Sequence, residues 1–114
     1  MDSNKKITAT VCIYSGRQNP QWTISPKEYS KLLPLINTLS PAAAPAETIL
    51  GYSGVIIKSE TQHIFVFDEI VTITTGGSKE NYFDKGKLIE KRILQTAPVT
   101  IINEIKTILP AELQ

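Results

Sequence analysis

The sequence predicts an α+β fold: a small antiparallel or mixed sheet of three to four strands, with about three helices packed mainly on one face, in the order β-α-β-β-(β)-α-α. Three observations predict it. Residues 6–14 alternate, with Ile7, Ala9, Val11 and Ile13 on one side and Thr8, Thr10, Cys12 and Tyr14 on the other, which is the period of a strand. Residues 52–59 and 63–75 are apolar, β-branched runs joined by Glu60-Thr61-Gln62, a length that suits a hairpin. After Pro98, the residues Ile101, Ile102, Ile105, Ile108 and Leu109 recur at helical spacing. A connected hairpin with helices grouped around it, rather than strict β-α alternation, puts the helices on one face of a mainly antiparallel sheet.

The elements follow in order. Ser15-Gly16 ends the first strand, and residues 15–24 read as a loop with a turn at Asn19-Pro20, because proline holds the residue before it extended. Ser25-Pro26-Lys27-Glu28 is a helix start: a capping serine, proline at the first helical position and a glutamate that completes a capping box. Tyr29, Leu32, Leu33, Ile36 and Leu39 share one face of this helix, with a kink or break expected at Pro34. Residues 40–48, rich in Pro and Ala, read as a flexible connection.

The two central runs are apolar on both faces, so they belong in the middle of the sheet. Asp68-Glu69 interrupts the second run and marks a bulge, a bend or a water-facing edge. Gly76-Gly77 ends it, and residues 79–83 are a candidate short edge strand. Asp84 can cap a helix running to about Thr96, with Leu88, Ile89, Ile93 and Leu94 inward and Lys87, Glu90, Lys91 and Arg92 outward. Pro110 ends the last helix.

Length and composition set the limits. A chain of 114 residues, 41% hydrophobic and 20% charged, predicts one globular domain over residues 1–114. A net charge of +1 argues against nucleic acid as a partner, since neutralising several phosphates takes a larger basic excess. The first residues show no apolar signal segment, and no apolar run approaches the length of a membrane span. The lone Cys12 has no internal disulfide partner. Together these features predict a cytoplasmic protein that does not engage a membrane.

Known catalytic constellations are hard to assemble from these residues. Cys12 lies mid-strand with no neighbouring cation to lower its pKa, which makes it a core thiol rather than a nucleophile. His63 and Asp68 are spaced to opposite strand faces, so no metal site is predicted. Thr75-Gly76-Gly77-Ser78-Lys79 has the wrong order for a phosphate loop and reads as a turn. Lys85, Lys87, Lys91 and Arg92 read as a solvated helix face. No catalytic residue, metal or cofactor is assigned.

The unusual chemistry is concentrated in residues 14–22, Tyr-Ser-Gly-Arg-Gln-Asn-Pro-Gln-Trp. Arg17 offers a forked donor for carboxylates or phosphates, Asn19 both donates and accepts, and Trp22 offers a broad flat surface. The competing structural reading has Trp22 plugging the core while Arg17 and Asn19 hold the loop. Tyr52, between Gly51 and Gly54 at the start of a central strand, is a second point of interest. The predicted binding residues are Tyr14, Ser15, Arg17, Asn19, Trp22 and Tyr52. The expected function is a non-catalytic binding or accessory protein that recognises a protein or peptide, with a small subunit of a larger enzyme and a homo-oligomer as the two assemblies it allows. A small-molecule or carbohydrate binder using the Arg17/Asn19/Trp22 loop is the alternative, and a small enzyme of unassigned reaction is the second.

Overall fold

A computed structural model describes residues 6–14, 16–46 and 51–113. The fold is α+β, with one six-stranded, fully antiparallel sheet in the order β2-β1-β3-β4-β5-β6. The strands are β1 (Ile7–Val11), β2 (Gln21–Ile24), β3 (Val55–Lys58), β4 (Gln62–Phe67), β5 (Ile70–Thr75) and β6 (Ser78–Phe83). The helices are α1 (Pro26–Asn37), α2 (Leu88–Leu94) and α3 (Val99–Ile105), with single 3-10 turns at Lys85–Lys87 and Ala111–Leu113.

The expectation of three to four strands is therefore too low, and the order differs. Two misread segments account for this. Residues 21–24, read as loop, form β2, a strand of only 4 residues in which Trp22 and Ile24 are buried while Gln21 and Thr23 are exposed. The long run 63–75 is two strands. Asp68 and Glu69 both adopt left-handed backbone, at φ +53° and +67°, and form a tight hairpin turn between β4 and β5. Two adjacent positive-φ residues match the twist of the flanking strands, and Asp tolerates this conformation better than most side chains. The candidate strand at 79–83 is present as β6, and Gly76-Gly77 is the turn before it.

One sheet face is continuously apolar. Trp22, Ala9, Ile57, Ile64 and Ile73 lie side by side across five strands. The small Ala9 sits opposite the bulky Trp22, so their combined volume fits the row. This face and the inward residues Leu32, Ile36, Ile93 and Ile105 of the helices make one buried core.

Helix α1 starts where the sequence places it: the Ser25 hydroxyl accepts a hydrogen bond from the Glu28 amide at 3.1 Å. Pro34 does not interrupt it. Its exposed position leaves the carbonyl deprived of an amide partner on the solvent side of the helix, where water can serve it.

The inward face expected for α2 needs correction. Gly86 and Lys87 are left-handed, at φ +74° and +60°, so the helix predicted from Asp84 begins only at Leu88. Leu88, expected inward, is 66% exposed; Glu90, expected outward, is fully buried. The last helix likewise ends at Ile105, and its apolar stripe is split: Ile105 and Leu109 are buried, whereas Ile102 and Ile108 are exposed.

Of the Pro/Ala-rich segment, residues 47–48 lie outside the described residues. The preceding part lies against the sheet. The Ala42 amide donates to the Asn81 carbonyl, the Phe83 amide to the Ser40 carbonyl, and the Ala46 amide to the Thr72 hydroxyl.

Candidate functional site

The structure divides the predicted site residues between two places. Trp22 belongs to the core, where its indole N–H donates to the Thr96 hydroxyl at 2.8 Å and so ties the edge strand to the end of α2. Asn19 is the internal brace of the loop. Its side-chain oxygen accepts from the amides of Ile13 (3.0 Å) and Tyr14 (2.7 Å), two donors left over where β1 stops.

Tyr14 is half-buried, and its hydroxyl donates to Glu104 of α3 at 3.0 Å, which pushes the phenol's pKa up. Arg17 lies over the Tyr14 ring, 4.2 Å from its centre, and 3.9 Å from Glu104; its side chain is 68% exposed. Ser15 lies outside the described residues. The loop is thus stitched to α3, and none of the four grooves described on the surface is lined by it.

Tyr52 faces elsewhere. β1 and β3 are neighbours but antiparallel, and Ser53 and Gly54 together oppose the single Cys12, forming a bulge. Gly54 is required here. At φ +92° a side chain is strained, and an added Cβ would lie 2.2 Å from the Val66 carbonyl oxygen. The bulge sends Tyr52 against the edge of Phe67, at a ring separation of 6.0 Å, and delivers its hydroxyl to the carboxylate of Glu90.

Sequence reasoning missed this corner. Glu90 is buried in α2, and its second oxygen, Oε1, has no hydrogen-bond partner. Burial pushes its pKa up, against the pull of Tyr52 and Lys87 and with a further push from Asp84 and Asp68. Asp84, also buried, accepts from the amides of Ile89 (2.8 Å) and Glu90 (3.1 Å) and so caps α2; burial dominates and raises its pKa as well. The Tyr52 phenol is raised by burial and by Glu90, so it keeps its proton.

The chemistry set aside in the sequence has structural explanations. Burial raises the Cys12 thiol, and Cys12 and His63 lie beside opposite ends of β3. Among the described residues no group of three or more His, Cys, Asp or Glu is arranged to hold a metal.

Of the four grooves described, the most voluminous, about 610 Å³, lies between α2, α3 and the C-terminal 3-10 turn. Its apolar lining is Leu94, Ile102, Ile105, Leu109 and Leu113, and Lys91, Lys106 and Glu112 stand at its polar margins. Across α2 lies a second, smaller groove lined by Leu35, Leu39 and Leu88, which shares Lys91 and Gln95 with the first. Comparison with family models, curated proteins and solved structures gives no match. The function must be read from these surfaces. Among the described residues no helix is long and apolar enough to cross a membrane.

Proposed function

We propose that the protein is a non-catalytic binding module that takes up a partner protein through its helical face. The observation that carries this reading is the apolar groove beside α2. It is bordered by Ile102, 37% exposed, and the second groove, bordered by Leu35 at 41% and Leu88 at 66% exposed, shares Lys91 and Gln95 with it. Contiguous apolar concavities of this kind mark protein interfaces more often than solvated surface.

The margins suggest the partner's chemistry. Lys91 and Lys106 add positive charge, while the carboxylate of Glu112 is already engaged by Lys87 at 2.9 Å. The complementary occupant is an amphipathic helix with an apolar stripe and acidic flanks. The volume of the groove also falls in the range of small-molecule sites, which favours an apolar small ligand as the second reading. Arg17 and Tyr14 contribute through the scaffold, by holding α3.

The test is affinity capture from the source lysate with wild type, with an Ile102→Asp/Leu88→Asp variant and with Arg17→Ala, all checked for folding by circular dichroism. The reading expects a partner retained by wild type and Arg17→Ala and lost with the groove variant. Loss with Arg17→Ala alone moves the site back to the loop. If none of the three retains a protein, the partner reading is abandoned and small apolar ligands are titrated against the groove.

A further inference from the structure

The geometry points to a proton-operated latch: loss of the Glu90 proton draws Lys87 away from Glu112 and loosens the C-terminal turn that walls the apolar groove. Its bearing on binding rests on the docking reading above; the latch itself is a property of the free protein.

Four observations converge on it. Glu90 is fully buried, with one oxygen bonded by Tyr52 and the other unpartnered. The titratable groups acting on it come from the segments around the start of α2 and the facing ends of the sheet. Tyr52 precedes β3, Cys12 follows β1 and acts on Tyr52, Asp68 sits in the β4–β5 turn, and Asp84 and Lys87 lie at the entry to α2. Lys87 caps the start of α2 three residues before Glu90, the spacing at which side chains of a helix start face one another; it acts on Glu90 and also feels Asp68. Lys87 is already committed, with its ammonium donating to Glu112 at 2.9 Å and its side chain only 20% exposed.

Glu112 and Leu113 line the groove, so this contact joins the cation three residues before the buried acid to the groove wall. While Glu90 carries its proton, the acid is neutral and makes no claim on Lys87. When the proton leaves, an anion forms in apolar surroundings with one oxygen bare, and Lys87 is the group able to compensate it. One ammonium cannot keep the same geometry toward both carboxylates, so the Glu112 contact weakens.

The direction of the pH dependence follows from the raised pKa of Glu90. The neutral form is favoured by the fold. Its stabilisation is complete below the ordinary carboxylate value and is lost as pH rises through the higher value held in the folded protein. Asp84 is raised too and contributes with the same sign, so the Glu90 share must be isolated by substitution.

The experiment is a carboxyl carbon-13 NMR titration of the free protein, read together with amide shifts and hydrogen exchange at residues 111–113. Glu90 is expected to titrate above the ordinary glutamate range. The signals of residues 111–113 should move with the same midpoint, and their exchange should quicken by up to about fivefold, the equivalent of losing one surface ion pair. Glu90→Gln should abolish that midpoint. Tyr52→Phe, which removes a hydrogen bond to the ionised form, should move it higher still. Lys87→Met should leave the turn loosened at every pH. An ordinary Glu90 titration, or a turn that ignores Glu90 or Lys87, overturns the latch. Because no partner is present, these outcomes are independent of whether the docking reading survives.

Discussion

The loop at residues 14–22 and the corner formed by Tyr52, Asp84 and Glu90 make an instructive pair. The loop holds the rare residue types and turns most of them to construction: Trp22 fills the core, Asn19 satisfies stray amides, and Tyr14 ties the loop to α3. The corner is built from commonplace acids and a tyrosine, yet it holds two fully buried acids and an unpartnered buried oxygen. Rarity reports on side-chain size and shape. Electrostatic consequence depends on where the backbone places an ordinary charge.

That contrast can be broken from either side. Trp22→Ala should give the largest loss, about 3–5 kcal/mol in a urea titration, as expected for emptying an aromatic core site. A mild effect would return Trp22 to the candidate binding residues. Gly54→Ala should cost about 2–4 kcal/mol, because the added methyl meets the Val66 carbonyl in a backbone conformation that already disfavours side chains. Wild-type stability in that variant would mean that no close-packed bulge at Gly54 delivers Tyr52 to Glu90.

A finer comparison sets two braces side by side. Asp84 and Asn19 each accept hydrogen bonds from a pair of consecutive amides. Asp84→Ala should cost about 2–3 kcal/mol and Asn19→Ala about 1 kcal/mol. Water can replace the half-buried asparagine, whereas the amides at the start of α2 are shut away. Equal losses would erase the distinction between the two regions. Smallest of all, Arg17→Ala should change stability by no more than about 0.5 kcal/mol, since its contacts lie at the surface.

Much of the scaffold was legible in the residues themselves. The alternation of β1, the Ser25 cap, the strand at 79–83 and the glycine turn before it all rest on local chemistry. β2 was not, because a 4-residue strand just after Pro20 offers too short an alternation to separate from loop. The Asp68-Glu69 hairpin was half legible: the interruption was visible, but the left-handed backbone that makes it a reversal was not. Glu90 lies three and four residues before Ile93 and Leu94, so helical spacing alone puts it on their buried face; its charge predicts the outer face, and the structure follows the spacing. The groove has no local signature at all. It exists only where α2, α3 and the last turn meet.

The two margins of the sheet are finished differently, and this bears on how the protein behaves when crowded. Open strand edges can recruit further strands from other molecules. On the β6 side that route is occupied over residues 81–83, because residues 40–42, including a proline that offers no amide hydrogen, already run along that part of the edge. On the β2 side no described segment covers the edge, and what limits recruitment is its brevity. Growth of assemblies at high concentration should therefore favour the β2 side: pairs of molecules joined β2 to β2, with the β6 margins facing outward and blocked over residues 81–83.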